Sequence, residues 1–293
     1  MKPAPFRYLA PRDEAQLISA LREHGGDARL LAGGQSLVPM MNFRVVTPSV
    51  LIDINGVKTL SFVEWRSEAV EIGALARHAM LEDSKDIAER MPLLAAAMGQ
   101  VAHRAVRNRG TMGGSLALAY PAAELPMLFV TLGAELRLRS PRGERRVSAS
   151  EFIVGPLDTV LADDEFIHSA RLPALPERAG SAFIEVSRRH GDFALAAAAA
   201  VVDLDASGRV QHVRAGLSGG TGSPVRLSEV ERALTGQAPT KRLLEDTALA
   251  VVDSLEVEGD RQYPAGYRRL LLSTVLQRAL DTAAARAKAR HVH

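Results

Sequence analysis

Cysteine is absent from the 293 residues. Its absence excludes disulfides, thiolate zinc sites, iron–sulfur ligation, a cysteine nucleophile and a CxxC redox pair together. Any redox role must therefore use an organic cofactor. Aromatic residues reach only 4%, and no single sign of charge dominates: 36 Lys and Arg stand against 34 Asp and Glu, a net charge of +2. The basic end, 278–293, reads as a solvated helix, because nucleic-acid surfaces cluster cations among aromatics. Long apolar runs are missing too. The longest, 193–202, is ten residues, about half of a membrane span. The opening MKPAPFRYLAP has no apolar core of signal-peptide length. These absences point to a cytoplasmic protein with no membrane span and no nucleic-acid partner.

What is present is ordinary globular composition, 47% hydrophobic and 24% charged, long enough for two domains without a staple. Asp13 followed by Leu17, Ile18 and Leu21 predicts a capped amphipathic helix, closed by left-handed glycine at Gly25-Gly26. Strands are expected at 29–31, 50–54, 60–63 and 69–73, then helices at 79–89 and 92–104. A further helix starts near Pro121 and covers Leu125, Leu128 and Phe129. Strands at 135–139, 145–147 and 165–172 lead to Leu172-Pro173-Ala174-Leu175-Pro176-Glu177, a linker by composition. That places domains at 1–176, subdivided near 55, and 177–293. The second begins with antiparallel strands at 183–187, 193–203 and 210–217, turning at Asp205–Gly208, and ends in helices at 228–234, 241–254 and 267–289. The alanine run 194–200 has high helix propensity, yet its turn-rich flanks favour a strand.

Two glycine segments carry the chemistry. The first, Ala32-Gly33-Gly34-Gln35-Ser36, follows a strand. The second, Thr111-Met112-Gly113-Gly114-Ser115, follows a helix rich in arginine (Arg104, Arg107, Arg109). Glycines let backbone N–H groups approach an anion, and each segment ends in a hydroxyl. Facing one another, they would hold the two phosphates of a dinucleotide. Neither matches the Rossmann or P-loop pattern. A third cluster, Gly216 to Gly222, reads as a turn before a helix. No HxxxH or HExxH spacing occurs among eight histidines, so no metal site is proposed. His103, His190, His291 and His293 read as solvated or capping, His190 with a minor flavin-edge alternative. Asp163-Asp164 reads as a turn cap, Arg188-Arg189 as an ion-pair site or interface anchor, and Trp65 as packing. Neither Ser36 nor Ser115 has a nucleophile elbow around it.

The segments LLAGGQSLVPMMNFR (30–44), VRNRGTMGGSLALAYPAAELP (106–126) and SRRHGDFALAAAAAVV (187–202) resemble the FAD-binding medium subunit of molybdenum hydroxylases, the family of the carbon monoxide dehydrogenase medium subunit and the xanthine dehydrogenase flavin domain. The resemblance spans nearly the whole chain. It implies an α+β protein: a two-part FAD-binding domain of the vanillyl-alcohol-oxidase (PCMH) type, then a small α+β domain with an antiparallel sheet. It places Ala32, Gly33, Gly34, Gln35 and Ser36 on the FAD diphosphate, with Thr111, Met112, Gly113, Gly114 and Ser115 as the opposite wall. It also places Glu124 near the adenosine, Leu161 on the cofactor, and Asp192 and Phe193 against the isoalloxazine.

Departures are Ser115 for the usual Asn, Leu118 and Tyr120 for a His and an Asp, and Phe183-Ile184-Glu185 where a Lys is common. Loss of that cation removes a charge that would favour anionic reduced flavin. No catalytic acid–base residue is expected. The resemblance implies an oxidoreductase subunit that relays electrons, with a molybdopterin-type molybdenum cofactor on a large partner and two iron–sulfur clusters on a small one. The assembly would be a dimer of heterotrimers delivering electrons to an external acceptor. Carbon monoxide, aldehydes, purines and other N-heterocycles remain open as substrates. The competing readings are a stand-alone flavin reductase or oxidase, such as a UDP-N-acetylenolpyruvoylglucosamine-type reductase, and a cofactor-free scaffold.

Overall fold

The computed structural model describes residues 2–66 and 68–291. Three larger sheets and a two-stranded ribbon, Ile153–Gly155 with Asp158–Thr159, organise them. The first is parallel, with Val50–Asp53 between Arg7–Leu9 and Ala28–Leu31. Helix Glu14–His24 covers it through Leu17 and Leu21, and Asp13 caps that helix by accepting from the Gln16 amide at 2.8 Å. Its C-terminal end differs from expectation. Gly25 is right-handed at φ −46°, and the chain tightens into a 3-10 turn, Gly25–Asp27. That turn packs on Asp163 and Asp164, so close approach is what selects glycine.

The second sheet runs Val63–Arg66, Ala69–Gly73, Phe166–Pro173, Glu135–Ser140, Gly143–Ser148, all antiparallel. Its first strand begins three residues later than the sequence suggests, because Lys58–Leu60 forms a 3-10 turn. Trp65 lies in that strand beneath the Arg90 guanidinium, 3.5 Å from the ring centre, a packing role as expected.

Helices fill the core between this sheet and the rest. The expected helix 79–89 is two, His78–Asp83 and Lys85–Arg90, because Ser84 leaves helical geometry and caps the second through its hydroxyl. The expected 92–104 helix stops at Met98, and Arg104–Arg107 is separate. Between them Ala102 is left-handed at φ +45°. The helix expected from Pro121 begins at Glu124 and runs to Leu132.

The third sheet is antiparallel in the order Gly180–Val186, Ala196–Leu204, Val210–Ser218, Val225–Arg226. The long helix Ala265–His291 lies across it. The alanine run is a strand, buried on both faces. Ala197, Ala199 and Val201 join the core of the second sheet, while Ala196, Ala198, Ala200 and Val202 face the helical side. Alternation along a strand sends neighbours to opposite faces, so small residues admit helices closely on both sides. Gly180 and Gly216 continue the theme: a Cβ on either would collide with Ala283 of the long helix or with Thr131. Tertiary packing overrides helix propensity here.

Of the third glycine cluster, Gly216 lies in strand Val210–Ser218, while Gly219 and Gly222, both left-handed, turn the chain into strand Val225–Arg226 ahead of helix Ser228–Leu234. Asp163 and Asp164 sit in a turn, and Asp164 pairs with Arg142 at 2.7 Å. His293 lies outside the described residues. Among those described, no helix is long and apolar enough to cross a membrane, and no cluster of His, Asp and Glu could hold a metal.

Candidate functional site

The first glycine segment is a true loop. Strand Ala28–Leu31 ends, Gly34 turns through φ +72°, and helix Leu37–Asn42 begins. The Val38 and Met40 amides donate back to the loop, to the carbonyls of Gly34 and Ser36. Among the described residues, the backbone N–H groups of Gly34, Gln35, Ser36 and Leu37 reach no protein acceptor. A row of unspent amides on a tight turn is an anion-binding nest.

The second segment differs from expectation: its glycines lie inside helix Met112–Leu118. Its amides are spent. Met112 donates to Ala76 O at 3.0 Å, Gly113 to Ala74 O at 2.9 Å, and Gly114 to the Thr111 hydroxyl at 3.1 Å. Gly113 is there for packing, since its Cβ would sit 2.7 Å from that of Ala74. What this wall offers a ligand is hydroxyls, Thr111 and Ser115.

The two segments touch. A Cβ on Gly33 would collide with the Arg109 carbonyl oxygen and lie 2.9 Å from Gly110 Cα. A polar brace fixes the contact: Asn55 donates to Ala32 O at 2.8 Å and accepts from Arg77 at 2.6 Å, while Arg77 also donates to Arg109 O. Burial and the nearby Arg109 charge pull the Arg77 pKa below the usual arginine range, yet a guanidinium stays charged. Arg107 supports the next stretch. It grips Glu82 with two 2.8 Å bonds and donates to the carbonyls of Val101 and Ala102 at 2.9 Å each. Hydrogen bonding from Arg107 holds the Glu82 carboxyl below its usual range.

Two cavities meet at the loop and share Arg29, Leu30, Ala32, Gly114 and Ala117. The smaller, about 290 Å³, runs past Leu161, Thr159 and Ile167. The larger, about 370 Å³, runs past Ser36, Ser115, Val101, Tyr120, Glu124 and Phe193. Phe193 reaches it from the second half of the chain, its ring 4.0 Å from that of Tyr120. Arg29 is the one Lys or Arg that lines them. A two-armed cavity with a guanidinium at its waist and free amides beside it in the larger arm has the donor chemistry and shape for a dinucleotide diphosphate, with one flat group in each arm.

Two titratable groups with shifted pKa values line the larger arm. His78 is 4% exposed, and burial pulls its pKa down to about 4. Its Nε2 lies 3.1 Å from the Ser115 hydroxyl, and its Nδ1 has no partner. Glu124 is 5% exposed, and burial pushes its pKa up to about 7.

Of the residues expected from sequence, the structure gathers Ala32, Gly33, Gly34, Gln35, Ser36, Thr111, Gly113, Gly114, Ser115, Glu124, Leu161 and Phe193 around these cavities. Glu124 sits in the arm of Phe193, not in that of Leu161. Met112 is wholly buried in the core, and Asp192 is exposed outside the lining. His190 and His103 stack with ring centres 6.4 Å apart, both exposed and outside the cavity lining. Arg188 and Arg189 are exposed and take part in no ion pair among the described residues. Arg29, Asn55, Arg77 and His78 escaped the sequence reading. Each sits beside an ordinary strand or helix, and only pairing across the fold brings it to the site.

Residues 4–175 match the family described as the FAD binding domain in molybdopterin dehydrogenase. Residues 181–283 match the CO dehydrogenase flavoprotein C-terminal domain. The chain is 39% identical to the 6-hydroxypseudooxynicotine dehydrogenase complex subunit alpha of Paenarthrobacter nicotinovorans, covering 97% of each. It is 36% identical to the caffeine dehydrogenase subunit beta of Pseudomonas sp. (strain CBB1), covering 98% of this chain and 97% of that one. In structure it resembles a chain of carbon monoxide dehydrogenase from Hydrogenophaga pseudoflava with a TM-score of 0.94, 36% identity, and coverage of 98% and 99%.

Proposed function

The chain belongs to the family of FAD-binding medium subunits of molybdenum hydroxylases, and from that membership we propose how its site works. It is the FAD subunit of a heterotrimeric oxidoreductase whose molybdenum cofactor and iron–sulfur clusters reside on a large and a small partner. The unspent amides of Gly34 to Leu37, in the larger arm beside the waist, carry the assignment of residues. They take the diphosphate together with Arg29 and the hydroxyls of Ser36, Thr111 and Ser115. Ala32, Gly33, Gln35, Gly113 and Gly114 shape the waist by close backbone approach. Leu161 covers the adenosine in the smaller arm. Phe193, with Glu124, borders the isoalloxazine in the larger, and Asp192 anchors the loop that carries Phe193. Met112 contributes by fixing the helix from the core.

Bound FAD supplies a carrier that accepts electrons singly and delivers them as a pair. The protein orients it, excludes water from its buried edge and places the neutral His78 and the half-ionised Glu124 beside it. Two such trimers form the assembly, in the cytoplasm, and an external acceptor takes the electrons. The division at residue 176 is supported by where the matched regions end, and one near 55 by the passage from the parallel sheet to the antiparallel one. A stand-alone reductase draws no support, because relatives that match end to end are subunits of dehydrogenase complexes.

Purification of the native complex tests this reading. A flavin spectrum with molybdenum and iron in the same particle is the expected result. A complex without molybdenum or iron, or reduction of the isolated chain by a substrate, overturns it.

A further inference from the structure

Ser115 carries the hydroxyl at the end of the second glycine segment, and among the described residues one side chain reaches it. His78 Nε2 lies 3.1 Å from its oxygen, and both residues line the larger arm. The histidine is held from several directions. Its amide donates to Gly110 O at 3.0 Å, and an isolated β-bridge joins Arg77 to Thr111, the residue that caps the serine's helix. Its ring is 4% exposed and lies against Gly110, where a Cβ would sit 2.8 Å from Nδ1 and 2.9 Å from Cε1. Nδ1 is shut off from solvent and has no hydrogen-bond partner.

This packing decides where the ring proton sits. A neutral imidazole has one N–H and one bare nitrogen. With the proton on Nδ1, a buried donor would point at the Gly110 backbone with nothing to accept it, a costly arrangement. With the proton on Nε2, the donor meets the Ser115 oxygen, and the bare Nδ1 rests against a Gly110 Cα–H, a contact a lone pair tolerates. A second proton is refused. Burial pulls the ring's pKa down to about 4; the Thr111 backbone opposes this, and the charges of Arg107 and Arg77 assist it.

The consequence falls on the serine. A hydroxyl can donate or accept, and rotates to suit its neighbours. Here the oxygen is occupied by the ring N–H, so its own hydrogen must turn elsewhere. Thr111 O, four residues back, already accepts the Ser115 amide at 3.1 Å. What remains open to a half-buried hydroxyl on the cavity wall is the cavity.

We propose that His78 is a positioning residue: its Nε2–H donates to Ser115 and makes the serine hydroxyl a fixed donor to the larger arm, where it bonds an anionic oxygen of the cofactor's diphosphate. The proposal rests on the flavin reading of that cavity. His78 acts through Ser115 and touches no reacting atom. The pair makes this stretch of wall selective, meeting a ligand group that accepts and refusing one that only donates.

Nitrogen NMR of the full chain without flavin, labelled in its histidines, reads the tautomer. His78→Gln removes the His78 resonances and so identifies them. The Nε2–H form is expected; an Nδ1–H form, or an imidazolium at neutral pH, overturns the proposal. In the assembled complex, His78→Leu deletes the donor, and flavin affinity by equilibrium dialysis is expected to fall roughly tenfold. Ser115→Ala is expected to lose as much, and adding His78→Leu to it to lose nothing more. His78→Gln, whose amide N–H can take the place of Nε2–H, should recover most of the loss, with circular dichroism confirming the fold of each variant. An equal loss with the serine present and absent, or no recovery with glutamine, overturns positioning. A complex lacking flavin would instead defeat the site reading, and the histidine tautomer would survive that failure.

Discussion

Two segments with nearly the same glycine pattern, Ala32 to Ser36 and Thr111 to Ser115, fold to opposite ends. The first leaves its amides free because the strand before it stops and Gly34 turns left-handed. The second gives its amides to Ala74, Ala76 and the Thr111 hydroxyl, so its helix locks onto the chain leaving strand Ala69–Gly73. One is a binding surface held by a scaffold; the other is scaffold that happens to border the ligand. Glycine pairs in sequence therefore report close approach, and only the hydrogen-bond partners say what approaches.

Breaking the contact between the two segments has the largest expected effect. Gly33→Ala forces a Cβ into the Arg109 carbonyl. Backbone cannot yield cheaply, so about 2–3 kcal/mol is lost, and flavin affinity of the complex falls roughly 100-fold. Equilibrium dialysis of released flavin measures this.

Acid pH probes the scaffold side. His78 is neutral when folded, with a pKa of about 4 against 6.5 when unfolded. Between those values the unfolded chain binds a proton that the folded chain refuses. This contribution is therefore complete above pH 6.5 and lost as pH falls towards 4, by on the order of 2–3 kcal/mol. Denaturant melts at several pH values check it, and His78→Gln should flatten that acid limb.

Arg29→Gln tests the binding side without touching the scaffold. Flavin affinity should fall roughly tenfold, and its salt dependence should weaken, because one screened charge–charge attraction is gone. Stability of the chain should hardly change.

Thr111→Val sharpens the contrast with the smallest effect. Loss of the N-cap acceptor for Gly114 costs about 1 kcal/mol of stability, read from a urea midpoint. Flavin affinity should fall less than in Arg29→Gln, since the second segment contributes mainly structure.

Much of this fold was legible from local pattern. The helix Ser228–Leu234 and the strands of the third sheet follow from periodicity and turn chemistry. The site's outline followed from its glycines. What stayed hidden depends on contacts between distant residues. Ser84 and Ala102 break helices that propensity would continue, the second because Arg107 holds its carbonyl from outside. Asn55 and Arg77 become important only once parallel pairing places Leu31 beside Asp53.

The alanine strand has a consequence for how the molecule comes apart. Ala179, Ala194, Ala197, Ala199 and Val201 belong to the same core as Leu125, Phe129 and Ile72. The point where the sequence divides is thus not a point where cohesion divides. A polypeptide ending at Pro176 would expose an unroofed apolar surface, while the remaining piece would lose one wall of its central strand. Each half is the other's chaperone, and the intact chain is expected to denature as a single cooperative unit.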